Sequence, residues 1–436
     1  MPDPKDTAVK SLGLREVDSP LTLSTVFGDG MVNFTPDESR VRYDVEYVPG
    51  QETQDEVFFE MAGPRKKLFF DPSGTTAAIV TCGGLCPGLN TVIRSIYLQL
   101  YHGYGVRNVY GVRFGYRGLH PDSGAEPVKL THEIIESIHR DGGTMLGSSR
   151  GPGDIPTMVQ FMADRKINML FCVGGDGTQA GAHALAEEIA RRDLPIAVVG
   201  IPKTIDNDIS YVERTFGFST ATEHARHILD CAHNEAHSYD NCVAVVKLMG
   251  RHAGFIAAAA SVASQDVNVC LVPEIPFALR GEKGLLPLLM QRILERRHAL
   301  VVVAEGAGQD LLRDEDRKRD ASGNLKPADI GEFLYDTIDA YLTEQAVAHN
   351  MKYLDPSYAI RSTPPDANDS VLCDRFARSA VHAAMAGKTD LLVGLWHGVY
   401  VHVPIHLAIS RTKRMEAESE LWRAVLATTG QPARFE

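Results

Sequence analysis

The chain alternates short apolar runs with glycine-containing turns and with longer stretches in which apolar residues recur at helical spacing. From Thr75 onward the runs are rich in β-branched residues: TAAIVT, NVYGV, INMLFCV, PIAVVG, CVAVVKL, VNVCLV and HALVVVAEG. Continuous apolar runs of this length, separated by helices, are typical of parallel strands covered on both faces. The pattern predicts an α/β fold with mainly parallel sheets flanked by helices.

The residues before Thr75 are polar and rich in turn formers, without a sustained strand or helix period. We interpret residues 1–74 as an N-terminal extension that packs on the main body. A chain of 436 residues is too long for one ordinary hydrophobic core, because single cores stop growing near about 250–300 residues. Two domains of unequal size are therefore expected.

The charge balance limits the classes of partner. The formal net charge is -12, which argues against nucleic acid or an anionic membrane as the main partner. The seven cysteines are scattered and odd in number, a pattern typical of reduced thiols in a cytosol. The sequence also lacks the apolar stretch of a signal peptide or a membrane span. A cytoplasmic protein is expected, in which local cations meet any anionic substrate.

Two glycine turns follow predicted strands and precede predicted helices. Gly83 and Gly84 end the first strand, an arrangement that offers backbone N–H groups and a helix N-terminus to an anion. Glycine turns also occur for purely steric reasons, so this turn leaves both interpretations open. The second turn, residues 174–178, adds Asp176 among three glycines. Asp is a common N-cap, but the glycines favour a nucleotide turn whose carboxylate holds Mg²⁺.

The strongest motif is residues 200–208, which follow the strand PIAVVG. Lys203, Thr204, Asp206 and Asp208 lie within six residues. Such a concentration of polar groups at a strand end is costly unless a cation and a phosphate bind there. An ordinary polar turn has no need of Thr, Asp and Asp at alternate positions.

Later strands end in further charged groups. Arg251 stands in a glycine turn after CVAVVKL, where a guanidinium suits bidentate contact with phosphate. Glu305 ends HALVVVA in the same way; it can accept bonds from sugar hydroxyls or serve as an N-cap, and the sequence leaves both open. Lys352 and Arg361 add two cations in a segment with few periodic apolar residues.

In this order, GGLCPGLN, GYRGL, GGTMLGSSRGP, GGDGT, PKTIDND, KLMGRHAG and AEG resemble the motifs of the phosphofructokinase family over about residues 75–388. GGDGT is also similar to a motif of NAD and diacylglycerol kinases, but those families lack PxTIDND and MGR. The resemblance implies two Rossmann-like domains in addition to the N-terminal extension. It assigns residues 75–217 and 361–405 to a nucleotide-binding domain, 218–360 to a fructose 6-phosphate-binding domain, and 406–436 to a C-terminal segment.

The implied activity is the glycolytic, Mg²⁺-dependent transfer of a phosphoryl group from ATP to the 1-hydroxyl of fructose 6-phosphate. By resemblance, Asp206 is the catalytic base, Thr204 contacts the transferred phosphoryl group, and Arg251 stabilises transition-state charge. Asp176 is the implied metal ligand, and Asp208 is the second acid near the metal. The other sugar-phosphate positions are Ile205, Met249, Gly250, Glu305, Lys352, Tyr358 and Arg361. The nucleotide positions are Gly84, Tyr116, Arg150, Gly151, Gly175, Asp176, Gly177 and Thr178.

Two positions bear on the phosphoryl donor. Pyrophosphate-dependent members resemble GGDD in the nucleotide turn, where an Asp would repel the α-phosphate of ATP, whereas this chain has Gly177. Lys203 matches the pyrophosphate-dependent members, because short bacterial ATP enzymes have Gly there. The mixed pair is similar to the ATP-dependent long branch of plants and trypanosomatids. We give Gly177 more weight, because an occupied volume excludes ATP whereas an added Lys only adds positive charge.

Two alternatives remain at this point: a pyrophosphate-dependent phosphotransferase, and a non-catalytic sugar-phosphate sensor with the same fold. The chain also departs from the short bacterial pattern. Cys242 and Lys352 stand where those enzymes carry Arg, and Tyr358 stands where they carry His. The resemblance implies an allosteric enzyme, but the effector site of the short bacterial enzymes is not assumed for this chain. A homo-oligomer, either a tetramer or a dimer, is expected from the resemblance.

Overall fold

The structure is a computed structural model that describes residues 2–46, 56–151, 153–312 and 328–436. The chain forms two compact units. Unit 1 contains Met1–Thr204, Ile209–Gly217 and Thr363–Thr412. Unit 2 contains Ile205–Asp208, Phe218–Ser362 and Lys413–Glu436. The chain thus passes from unit 1 to unit 2 inside the 200–208 motif.

The strands in chain order are β1 (Lys10–Ser11), β2 (Val17–Asp18), β3 (Arg40–Arg42), β4 (Phe58–Met61), β5 (Lys67–Leu68), β6 (Thr76–Thr81), β7 (Asn108–Val112), β8 (Val128–Lys129), β9 (Met169–Gly174), β10 (Ala197–Pro202), β11 (Cys242–Leu248), β12 (Val269–Leu271), β13 (His298–Ala304), β14 (Asn350–Leu354), β15 (Lys388–Thr389), β16 (Leu391–Trp396) and β17 (Val399–Pro404).

The α-helices are α1 (Leu89–Leu98), α2 (His132–Ile135), α3 (Ile155–Asp164), α4 (Asp176–Arg191), α5 (Phe218–His237), α6 (Phe255–Ser264), α7 (Leu285–Arg296), α8 (Ile330–Glu344), α9 (Ser357–Arg361), α10 (Ala367–Met385), α11 (Ile405–Ala408) and α12 (Glu420–Thr429). No helix in the described part of the chain is long and apolar enough to cross a membrane.

Unit 1 is built on a sheet whose described strands run in the order β3-β4-β17-β16-β10-β9-β6-β7-β8. The central strands from β16 to β7 are parallel, and the strands at both edges are antiparallel. The residues of β9 and β10 are buried throughout, as expected for continuous apolar runs between layers of helices. Helices α1, α4 and α10 pack on this sheet or on one another.

Unit 2 is built on a parallel sheet in the order β12-β13-β11-β14. Its core joins side chains of β11 and β13 to the inner faces of α7 and α8, for example Val243, Val301, Leu289 and Leu334. Phe435 belongs to the same core, so the end of the chain is part of unit 2. The predicted α/β class with mainly parallel, helix-flanked sheets is confirmed.

The N-terminal residues are integrated into unit 1. Strand β4 extends the main sheet by pairing with β17, and β1 pairs with β15. Within β4, the buried Glu60 contacts three cationic or polar side chains: Arg65 Nη2 at 3.2 Å, Lys388 Nζ at 3.0 Å and His402 Nδ1 at 3.0 Å. A buried carboxylate is tolerated when it is paired in this way.

Candidate active site

Three segments of unit 1, two of which are glycine turns, lie at the same edge of its sheet. Strands β6, β9 and β10 are parallel neighbours, so their carboxyl ends point the same way. Gly83 follows β6, Gly175 follows β9, and Lys203 follows β10. The three predicted donor-binding segments are therefore adjacent.

The glycines of the turn after β9 differ in what the fold requires of them. A Cβ on Gly174 would lie 2.1 Å from Thr178 Oγ1, so close packing demands glycine there. A Cβ on Gly177 would meet no atom within 4 Å, and its φ is not positive. Nothing inside the described chain therefore requires glycine at position 177.

Lys203 connects two of these turns. Its Nζ donates to the carbonyl oxygen of Gly84 at 2.7 Å, and its backbone N–H donates to Gly174 O at 3.1 Å. The residue is 6% exposed, so its ammonium group lies in the interior beside the first turn. Gly83 has a φ of +85°, and a Cβ there would lie 3.2 Å from Lys203 Nζ. Glycine thus allows the lysine to approach the turn.

The other predicted nucleotide residues surround these turns. Tyr116 is buried and donates its hydroxyl to Thr178 O at 2.6 Å, which supports the turn from inside. Burial raises the pKa of this phenol well above its ordinary value. Arg150 is exposed, and its Nη2 would lie 3.6 Å from a Cβ on Gly84. Gly151 follows with a φ of +100°.

Sequence reasoning missed Gln179. It is fully buried, and its amide donates to Gly174 O at 2.9 Å and to Ile201 O at 3.3 Å. These bonds join the ends of β9 and β10 beneath the turn that follows β9. A Gln directly after a glycine turn, on the inward face of an amphipathic helix, is the signal that could have identified it.

The 200–208 motif passes along the chain from unit 1 to unit 2. Thr204 is the last residue of its unit 1 segment, and its carbonyl accepts a 2.7 Å hydrogen bond from Thr215 Oγ1. Ile205 is buried in unit 2, and the Asp208 carbonyl accepts from the Lys413 N–H at 2.8 Å. Thr204 and Asp208 are thus both held through their backbone carbonyls.

Two turns of unit 2 are joined through their backbones. Strands β11 and β13 are parallel neighbours, so Arg251 and Glu305 follow adjacent strand ends. Glu305 N donates to Leu248 O at 2.9 Å, and Gly306 N donates to Gly250 O at 3.0 Å. Gly250 has a φ of +123°, which favours glycine. This pairing brings a predicted transition-state cation and a predicted sugar ligand together.

Asp206 lies close enough to Arg251 and Glu305 of unit 2 for their charges or backbone to affect its carboxylate. Its carboxylate accepts a hydrogen bond from the backbone N–H of Arg251. Burial raises the pKa of Asp206 well above its ordinary value, and the carboxylates of Asp208 and Glu305 raise it further. Burial also raises the pKa of Glu305, which Arg251 and Arg361 oppose. The structure therefore gathers acidic groups and arginines around the predicted base.

The remaining residues of unit 2 that are predicted to bind the sugar phosphate do not all lie together. Met249 is buried next to Gly250. Arg361 and Tyr358 lie together on α9, with the guanidinium carbon 5.0 Å from the ring centroid, and Tyr358 is 80% exposed. Lys352 instead pairs with Glu235 at 3.1 Å and lies over the ring of Tyr239.

The side chains that could ligate a metal fit Mg²⁺ only if substrate phosphates supply further ligands. The described residues contain no cluster of three or more His, Cys, Asp or Glu side chains that could hold a metal ion by themselves. Mg²⁺ is usually bound by one or two carboxylates together with substrate phosphates and water. Of the two predicted carboxylates, Asp176 is the first residue of α4 in unit 1, and Asp208 belongs to unit 2.

The Phosphofructokinase family profile matches residues 76–384. An ATP-dependent 6-phosphofructokinase of Borreliella burgdorferi is 44% identical over 434 residues, covering 98% of this chain and 97% of that protein. An ATP-dependent 6-phosphofructokinase of Amycolatopsis methanolica is 48% identical over 383 residues, covering 86% of this chain and 83% of that protein. The chain belongs to the phosphofructokinase family.

A solved phosphofructokinase structure has the same fold. The crystal structure of a pyrophosphate-dependent phosphofructokinase from Marinobacter aquaeolei matches with a TM-score of 0.68. The match covers 81% of this chain and 91% of that chain, at 22% identity. This similarity confirms the predicted phosphofructokinase fold and, at that identity, carries no information on the donor.

Proposed function

We propose that this member of the phosphofructokinase family is an ATP-dependent 6-phosphofructokinase. It transfers a phosphoryl group from ATP to the 1-hydroxyl of fructose 6-phosphate, which gives fructose 1,6-bisphosphate and ADP. Support comes from the two relatives of that name, at 44% and 48% identity. The observation that carries the donor assignment is the open space at Gly177, because an Asp there would occupy and repel the α-phosphate of ATP.

The donor binds residues of unit 1 in this proposal. The turn after β9 presents backbone N–H groups at the N-terminus of α4, where the helix dipole favours an anion. Asp176 at that terminus, and Asp208 in unit 2, are the proposed Mg²⁺ ligands. When bound, Mg²⁺ neutralises phosphate charge during transfer.

The acceptor binds residues of unit 2. Asp206 takes the proton from the sugar 1-hydroxyl, a role for which a raised pKa is suited, since a base is most effective when its pKa approaches the working pH. The Arg251 backbone N–H orients the carboxylate of Asp206, and the Arg251 side chain stabilises negative charge that develops in transfer. Glu305 accepts bonds from sugar hydroxyls, and Arg361 binds the 6-phosphate.

The alternative donor is pyrophosphate, because Lys203 matches the residue of the pyrophosphate-dependent members. Lys203 donates to the Gly84 carbonyl at 2.7 Å, and this contact supplies a role for the lysine that does not require pyrophosphate. We further propose a cytoplasmic homo-oligomer, a dimer or a tetramer, on the basis of family resemblance and the scattered cysteines.

The donor assignment is tested with steady-state rates for ATP and for pyrophosphate at saturating fructose 6-phosphate. The wild type should use ATP in preference. Gly177→Asp should lower kcat/KM for ATP by about tenfold or more, because the carboxylate enters the α-phosphate volume. The dissociation constant for fructose 6-phosphate should not change. A wild type that prefers pyrophosphate, or a Gly177→Asp variant with unaltered ATP kinetics, would show the donor assignment to be wrong.

A further inference from the structure

A largely buried cation, Lys247, joins three elements of unit 2. It lies in β11 with its side chain 12% exposed. Its Nζ contacts Asp329 Oδ2, at the N-terminus of α8, and Asp355 Oδ2 at 3.0 Å, after β14. Burial alone would lower the pKa of Lys247, but the two carboxylates raise it, so the lysine stays charged.

Asp355 links Lys247 to helix α9. Its other oxygen, Oδ1, accepts from the Ser357 N–H at 3.0 Å and from the Ser357 hydroxyl. Ser357 is the first residue of α9, and its carbonyl accepts from Arg361 Nε at 3.1 Å. A continuous series of polar contacts therefore runs from Lys247 to the guanidinium of Arg361.

Polar contacts add to the packing that positions helix α9, which lies against α5 with Ile360 buried. It has five residues, and its N-cap, Pro356, makes no side-chain hydrogen bond to it. Helices shorter than about 12 residues are marginal by themselves in water. The anchor at Asp355 thus helps to fix where Tyr358 and Arg361 stand.

We propose that Lys247 is a positioning residue for the sugar phosphate: through Asp355 and Ser357 it holds α9, and with it Arg361, in place. The inference rests on the proposed function and deepens its acceptor site. Removal of the cation leaves Asp329 and Asp355 as two partly buried like charges, which repel and release the anchor of α9. Misplacement of Arg361 weakens a contact to the sugar phosphate that is made both before and during transfer, so the effect falls on KM rather than on kcat.

The test compares Lys247→Met with Lys247→Arg, which keeps the charge. Lys247→Met should raise KM and the dissociation constant for fructose 6-phosphate about tenfold or more, because small displacements of binding groups have large effects. KM for ATP should stay within about twofold, and Lys247→Arg should recover most of the loss. The matched control is Arg226→Met, since Arg226 also bridges two acids of unit 2, Glu223 at 2.9 Å and Asp230 at 2.6 Å.

A double-mutant cycle isolates the route through Asp355. Asp355→Asn keeps an oxygen for Ser357 but loses the ion pair with Lys247, and it decides the proposal if Lys247→Met does not fold. If the two residues act together, the double variant should be impaired by less than the product of the single effects. A fully multiplicative cycle, an unchanged KM for fructose 6-phosphate in the folded single variants, or an equal effect in Arg226→Met would overturn the proposal.

Calorimetric binding of fructose 6-phosphate separates this proposal from the donor assignment. A wild type that binds the sugar phosphate but does not use ATP would overturn the proposed donor, and the dissociation constants of the variants would still decide the role of Lys247. A wild type that does not bind fructose 6-phosphate would overturn both.

Discussion

The raised pKa of Asp206 should be visible in the pH dependence of catalysis. A base works when deprotonated, so activity should rise with pH through a pKa above the ordinary Asp value of 3.8. Burial is the largest cause of the shift, and the charge of Glu305 contributes to it. Glu305→Gln removes that charge and should move the acidic limb of kcat/KM to lower pH, while KM for fructose 6-phosphate rises.

The assignment of this limb has two controls. Glu295→Gln changes an exposed carboxylate in α7 of the same unit and should leave the limb where it is. Asp206→Asn should bind fructose 6-phosphate normally but lower kcat by roughly 10²- to 10⁴-fold, the usual contribution of general base catalysis. A limb that stays fixed in Glu305→Gln, or near-normal kcat in Asp206→Asn, would contradict the assigned base.

At the scale of elements, a side chain connects two turns at the carboxyl edge of the unit 1 sheet. Lys203 after β10 donates to the Gly84 carbonyl in the turn after β6. Lys203→Met keeps the aliphatic length but loses this bond, so the first turn should loosen. We expect KM for ATP to rise about tenfold, with no change in the dissociation constant for fructose 6-phosphate.

Lys129→Met is the control for that change. Lys129 lies on the edge strand β8 of the same unit and contacts Asn108 at 3.2 Å, with its side chain exposed. Its loss should leave KM for ATP unchanged. Equal effects of the two substitutions, or an unaltered KM for ATP in Lys203→Met, would mean that the Lys203 contact does not order the donor turn.

At the scale of the whole chain, the N-terminal residues stabilise unit 1 through Glu60. Burial alone would raise the pKa of this carboxyl, but His402 and Lys388 bring it below its ordinary value of 4.5. Its stabilising contribution is therefore present at neutral pH and is lost as pH falls below about 4.5. Glu60→Gln leaves cations buried without their partner and should lower the free energy of unfolding of unit 1 by about 3–5 kcal/mol.

Tryptophan fluorescence can follow unit 1 alone. The chain has two tryptophans; Trp396 lies in unit 1 and Trp422 in unit 2, so denaturant unfolding is measured in a Trp422→Phe background. Asp18→Asn, which breaks an exposed pair with Lys67, should have little effect. If Glu60→Gln unfolds at the same denaturant concentration as that control, the buried cluster does not stabilise unit 1.

The sequence by itself determined the order of strands, turns and helices that carries the chemistry. Apolar runs identified the buried strands, and the glycine and polar residues that follow them identified the turns after β6, β9 and β10 as candidate binding segments. Charged residues at strand ends, such as Arg251 and Glu305, could also be identified along the chain as candidate ligands. Periodicity and glycine placement are local properties, and local properties can be read along the chain.

Only the tertiary structure decided which charged groups meet. Lys203 finds a carbonyl 119 residues away, and Glu60 finds His402 at a separation of 342 residues. Lys247 lies in a strand, and the sequence around it does not identify Asp329 or Asp355 as its ion-pair partners. The charge of a side chain determines which type of group can pair with it. Which residue it contacts depends on how distant segments pack, and no local sequence pattern encodes this packing.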